Sequence, residues 1–124
     1  MVKGLLLSGI FFCCLSVIMG AFGAHVLKDK LSEYSMSVYD KAVLYQFFHA
    51  FAILFVAFLN QLLSSETFDI CGILFIIGIL LFSGSLFILA ITDIKWLGAI
   101  TPLGGLLFII GWIALFIKIV KIKF

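Results

Sequence analysis

The chain has 124 residues, of which 65% are hydrophobic and 11% are charged, and its formal net charge is +2. Soluble domains carry about 25% charged and about 45–50% apolar residues, and a domain this small cannot hide such an excess of apolar surface from water. The composition therefore excludes a soluble domain and predicts a membrane protein whose main partner is the lipid bilayer. The weak charge, spread over eight lysines, also excludes nucleic acid as a partner.

The first apolar run predicts a transmembrane helix over about residues 4–27. Such a helix would extend about 36 Å, which is enough to cross a hydrocarbon core of about 30 Å. A signal peptide cleaved after Gly23 would have a similar pattern, but the apolar run continues past that point and favours an uncleaved helix. Its last turns contain Gly20, Gly23 and Ala24, and small residues of this kind allow another helix backbone to approach closely.

A polar interval over residues 28–36 follows, and its apolar positions recur at helical spacing. This pattern predicts a short amphipathic segment that lies in the membrane interface. Ser37 and Asp40 then form a helix start signal of the S-x-x-D type, so we expect helix two over about 38–63. Its first half is polar, whereas residues 50–59 are wholly apolar.

The short polar turn over residues 64–67 makes helices two and three antiparallel neighbours. Helix three is predicted over about 68–91, with Gly78 and Gly84 on a stripe of small residues. These glycines are candidate helix-packing positions.

Helix four is predicted over about 98–120. Two starts fit the sequence: a helix from Pro102 with Thr101 as its N-cap, or a helix from Leu97 that is kinked at the proline. Three further glycines would give this helix its own packing face: Gly104, Gly105 and Gly111.

These segments predict an all-α, polytopic membrane protein, a single domain of four transmembrane helices. With four crossings, both termini and the turn after helix two lie on one side of the membrane. The lysines divide four against four between the two sides, but Lys41 lies beside Asp40 at a helix start. Discounting Lys41 favours cytoplasmic termini, and insertion in both orientations stays open as the alternative.

His49 is the most unusual polar residue, because it lies about 11 residues into helix two and thus about 16 Å deep. An ionisable residue at that depth usually faces protein or water and marks a candidate site. Tyr45 and Gln46 share its helix face, and Ser16 is a candidate neighbour on helix one. Two interpretations stay open: a neutral imidazole that is hydrogen-bonded across helices, or a contact for a proton, ligand or substrate.

A second candidate site is an interfacial cluster of His25, Asp40, Tyr39 and Thr101. In an antiparallel hairpin His25 would lie about 13 Å from the depth of His49, so the two imidazoles could not share one zinc ion. The three cysteines lie inside apolar runs without ligand spacing, as expected for free thiols. We therefore predict no metal, no cofactor and no catalytic residue.

Three motifs occur in order along the chain: GAFGAH at residues 20–25, YQxxH at 45–49, and GSL through GxITPLGG to GW at 84–112. Together they resemble the YgdD/YwdK-like family of small bacterial inner-membrane proteins (domain of unknown function 423), which is similar to eukaryotic transmembrane protein 256. The resemblance implies a four-helix membrane protein of about this length. It implies no reaction, ligand or catalytic residue.

The sequence thus favours a small integral membrane protein with a structural or accessory role and no enzymatic activity. Its partners would be lipid and either a second copy of the chain or another membrane protein. One alternative is an oligomeric small-solute or proton-linked transporter or channel that uses His49. A membrane-embedded enzyme, the third hypothesis, would require His25, Asp40 and His49 to meet.

Overall fold

The computed structural model describes residues 1–124 and consists of four long helices. These are α1 (Val2–Phe22), α2 (Glu33–Leu62), α3 (Asp69–Thr92) and α4 (Thr101–Lys121). A π-helical turn (Gly23–Leu27) extends α1, and a 3₁₀ turn (Lys95–Ala99) precedes α4. All four helical spans are long and apolar enough to cross a membrane, which confirms the predicted all-α membrane fold.

The start of α2 differs from the sequence-based expectation, because Ser32 rather than Ser37 caps the helix. The side chain of Ser32 accepts a hydrogen bond from the Ser35 backbone N–H at 3.1 Å. Ser37 already lies inside the helix, where its hydroxyl donates to the Tyr34 carbonyl at 2.8 Å. The polar interval 28–36 is therefore divided into a turn and the first residues of α2, and it forms no separate interfacial segment.

The start of α4 combines features of both predicted alternatives. Pro102 lies in the first turn of α4, where its missing N–H costs no hydrogen bond. The N-cap position is Ile100, not Thr101, and the backbone of Ile100 is already right-handed helical, so the 3₁₀ turn runs directly into α4. The Thr101 hydroxyl instead forms a hydrogen bond of 2.6 Å with that of Ser85 on α3.

The four helices pack mainly on their sequence neighbours, through the α1–α2, α2–α3 and α3–α4 interfaces. In the central apolar windows of α2 and α3, 50% of the residues are buried, compared with 22% in those of α1 and α4. The inner pair α2 and α3 therefore carries the core, whereas α1 and α4 expose most of their surface to lipid.

Glycines allow α3 and α4 to approach closely at three successive levels. A Cβ atom at Gly78 would lie 2.5 Å from the ring of Phe108, and one at Gly111 would lie 2.7 Å from the ring of Phe75. A Cβ atom at Gly104 would overlap the backbone at Phe82. On each helix, a glycine thus packs against a phenylalanine ring of the other helix, and these contacts fix the antiparallel register of the pair.

The other small residues predicted to pack have more room. A Cβ atom would be 3.6 Å from its nearest neighbour at Gly20 and at Gly105, and 4.0 Å at Gly84, while Ala24 is exposed. Of the two glycines in the GAFGAH motif, only Gly23 makes a very close contact, since a Cβ atom there would lie 2.5 Å from the ring of Tyr39. The rotation of each helix about its axis decides which small residues face a neighbour.

Candidate intramembrane polar site

His49 lies near the middle of α2 and is buried, with 6% of its surface exposed. Its Nδ1 atom is 2.7 Å from the carbonyl oxygen of Tyr45, one helical turn earlier. Its Nε2 atom accepts a hydrogen bond of 3.1 Å from the indole Nε1–H of Trp112 on α4. A carbonyl only accepts and an indole N–H only donates, so both bonds form only when the ring is neutral with its proton on Nδ1.

Aromatic rings surround the imidazole of His49. The ring of Phe108 stacks on it with a centroid distance of 3.5 Å and an interplanar angle of 10°. Phe75 lies 5.6 Å away and also contacts Trp112, with ring centroids 4.9 Å apart. The close α3–α4 packing thus positions Phe108 and Phe75 against the imidazole.

Tyr45 lies one turn before His49 and differs from it in exposure. Its ring packs against Phe82 of α3 at a centroid distance of 4.7 Å, but 41% of its surface remains exposed. The Tyr45 hydroxyl has no hydrogen-bond partner in the protein. Tyr45 and His49 lie in a cleft of about 360 Å³, which we call the His49 cleft and which is lined by Tyr45, His49, Phe82, Gly105, Phe108, Ile109 and Trp112.

Gln46 and Ser16 form a separate polar group between α1 and α2. The Gln46 side-chain amide donates to the Ser16 hydroxyl at 2.9 Å and to the Phe12 carbonyl at 3.3 Å. The Ser16 hydroxyl in turn donates to the Phe12 carbonyl at 2.7 Å. The structure therefore divides the four residues of the predicted intramembrane site, with Gln46 and Ser16 towards α1 and His49 and Tyr45 towards α4.

Trp112 belongs to this site and is not among the residues that the sequence predicts for it. A signal for it exists: an indole N–H in the middle of an apolar helix needs an acceptor, and the imidazole of His49 can supply one at a similar depth. In the sequence, the GW pair at residues 111–112 stands out only as part of the family motif.

The predicted interfacial cluster is not assembled in the structure. Tyr39 is fully buried and its hydroxyl donates to the Met19 carbonyl at 2.5 Å, which ties α2 to the end of α1. Thr101 bonds to α3 as described, and His25 and Asp40 are both exposed. No group of three His, Cys, Asp or Glu side chains has the arrangement of a metal site.

The family described as protein of unknown function (DUF423) matches residues 19–105 of the chain. A UPF0382 membrane protein of Staphylococcus epidermidis is 44% identical over 119 residues, which cover 96% of this chain and 97% of the relative. UPF0382 membrane protein SH2409 of Staphylococcus haemolyticus is 45% identical over 119 residues, with the same coverage of both chains.

The UPF0382 membrane protein YwdK of Bacillus subtilis is 44% identical over 120 residues, covering 96% of this chain and 98% of the relative. No solved structure matches the chain. The sequence matches confirm the resemblance noted from the motifs. They extend over nearly the whole chain and carry no assigned activity. The chain therefore belongs to the DUF423 family of UPF0382 membrane proteins, whose function is unknown.

Proposed function

We propose that the protein is a structural or accessory component of the bacterial cell membrane, with neither transport nor enzymatic activity. The observation that carries this proposal is the state of His49, whose two ring nitrogens are both engaged. A proton relay or a substrate contact needs a nitrogen that is free to exchange its partner. Because Trp112 and the Tyr45 carbonyl occupy both positions, His49 acts as a neutral bridge between α2 and α4.

The same proposal disfavours a membrane-embedded enzyme. The relatives named above are called membrane proteins and carry no enzyme name. His25 and Asp40 are exposed near one end of their helices, whereas His49 is buried in the middle of α2. The three residues that an enzyme would require to meet are thus separated in depth.

We also propose that both termini face the cytoplasm. Lys3 and the C-terminal lysines lie at the terminal side, while Lys41 lies two turns inside α2 and does not count as a loop lysine. Modification of single cysteines introduced at each terminus with a membrane-impermeant reagent tests the orientation. Labelling of both termini from outside intact cells would overturn it.

A flux assay in liposomes tests the proposed role. Liposomes that contain the protein and protein-free liposomes are both loaded with a pH-sensitive dye. Proton and small-cation flux is then followed over a range of external pH values. We expect the native protein to give no flux above that of protein-free liposomes. Flux that is lost in His49→Gln, but retained in the matched control Ser16→Ala on the α1 side, would overturn the proposal in favour of a transporter or channel.

A further inference from the structure

A groove between α2 and α4 consists of two clefts that adjoin at Phe82 of α3. Its outer part is a cleft of about 400 Å³ near the start of both helices, and Phe82 of α3 lines both this cleft and the His49 cleft. On α2, Lys41, Tyr45 and His49 follow each other at intervals of four residues and so lie on one face. We call this feature the α2–α4 groove; from Lys41 to His49 it extends about 12 Å along α2.

The only charge in the α2–α4 groove is that of Lys41. No Asp, Glu, Arg or second Lys lines its two clefts, and the adjacent acid Asp40 lines a different groove, on the α1 side. Lys41 lies about 12 Å along the helix axis from the start of α2 at Glu33, so its long side chain can reach the membrane interface. A lysine at this depth extends its ammonium group towards the interface and favours an anionic partner there.

The Tyr45 hydroxyl is the next polar group along the groove. It stands out because the deep side chains of Ser16, Gln46, His49 and Ser83 all have hydrogen-bond partners within the protein. A hydroxyl without a partner in the apolar interior is costly, so an acceptor on a bound molecule would stabilise it. Beyond Tyr45 the groove ends in the aromatic rings of the His49 cleft.

We propose that the α2–α4 groove binds an anionic phospholipid. The order along the groove is cation, hydroxyl, then apolar rings, which matches the order of phosphate, ester oxygen and hydrocarbon along such a lipid. The phosphate lies on the Lys41 ammonium, an ester oxygen accepts from the Tyr45 hydroxyl, and one acyl chain runs past Ile109 to Trp112. This inference goes beyond the proposed structural role and does not depend on it. The flux assay measures transport, and neither of its outcomes changes the lipid preference that we expect.

Fluorescence of Trp112 tests the proposal. The chain has two tryptophans, so Trp96→Phe leaves Trp112 as the sole reporter. This variant is reconstituted into phosphatidylcholine vesicles that contain a fixed fraction of phosphatidylglycerol or phosphatidylcholine with brominated acyl chains, which quench indole fluorescence on contact. We expect a relative binding constant about fivefold higher for the anionic lipid, as for about 1 kcal/mol per lysine near an anionic headgroup.

Lys41→Gln should bring this ratio close to one, whereas Lys41→Arg should retain it. The matched control is Lys28→Gln, an exposed lysine that lies on the same side of the membrane but lines the α1-side groove. If Lys41→Gln does not fold, Gly105→Leu provides the second variant, because its side chain would fill the groove and reduce quenching by both lipids. Three results would each overturn the proposal. These are equal quenching by the two lipids, an unchanged ratio in Lys41→Gln, and no quenching because a second copy of the chain covers the groove.

Discussion

The indole N–H of Trp112 donates to Nε2 of His49 over 3.1 Å, and this bond joins two helices that both pack on α3 rather than mainly on each other. It supplies an acceptor to a deep indole and occupies the second nitrogen of a deep imidazole. The two side chains therefore satisfy each other, which is why neither has to face an aqueous pathway.

Trp112→Phe should destabilise the protein by about 1 kcal/mol, because it leaves Nε2 of His49 buried without a donor. The free energy of unfolding can be measured by titration with sodium dodecyl sulfate in mixed micelles. A double-mutant cycle with His49→Phe should give a coupling energy of about 0.6–1.7 kcal/mol. Trp96→Phe is the control, since Trp96 is 67% exposed, and equal losses in both tryptophan variants would contradict the role of the hydrogen bond.

Gly104→Ala should separate α3 from α4, because its Cβ atom would overlap the backbone at Phe82 and a backbone cannot rotate away as a side chain can. We expect a loss of about 1–3 kcal/mol in the free energy of unfolding. Gly84→Ala is the matched control on α3, because its Cβ atom would have no neighbour closer than 4.0 Å. It should be neutral or slightly stabilising, as alanine favours helix over glycine by about 1 kcal/mol. A control variant less stable than Gly104→Ala would refute the packing scheme.

Gly23→Ala should destabilise the contact between the end of α1 and α2. Its Cβ atom would lie 2.5 Å from the Tyr39 ring, which is fully buried and held by its hydrogen bond to Met19. The thermal midpoint in detergent should fall, whereas Gly20→Ala, with 3.6 Å of space, should leave it unchanged or raise it. Identical midpoints for the two variants would show that the Tyr39 ring can move aside.

Asn60→Ala should loosen the turn between α2 and α3. The Asn60 carbonyl oxygen accepts from the Phe68 backbone N–H at 2.7 Å, and its amide donates to the Asp69 carboxylate at 2.7 Å. Loss of this capping arrangement should cost about 1–2 kcal/mol. The exposed neighbour Gln61 offers the matched control Gln61→Ala, which should change the free energy of unfolding by less than about 0.5 kcal/mol. The measurement fails to support the role of Asn60 if both variants unfold alike.

Hydropathy predicts the four helices because long apolar runs bounded by polar turns have few other solutions in a membrane. It predicts helix three over 68–91, and the structure has α3 at Asp69–Thr92. The start of α2 in the structure differs from the predicted start because two serines five residues apart, Ser32 and Ser37, can each cap a helix. Which of them does so depends on the turn that follows α1. Local sequence carries both signals and does not rank them.

The side-chain partners were less predictable, because they depend on how each helix is rotated. Gln46 and His49 are three residues apart, so they differ by only about 60° around the axis of α2. That difference is enough to direct Gln46 to α1 and His49 to α4. The position of Trp112 depends on the glycine contacts of α4 with α3, which no spacing within α4 reveals.

The sequence-neighbour packing of the helices has a consequence for biosynthesis in the membrane. Each main interface joins consecutive helices, so each helix can pack on its principal partner soon after insertion. No large interface requires contact between the two ends of the chain. The exception is His49, whose Nε2 atom has no donor until α4 arrives. Insertion of the last helix thus completes the aromatic cluster, and a nascent chain that lacks α4 would leave Nε2 of His49 without its donor.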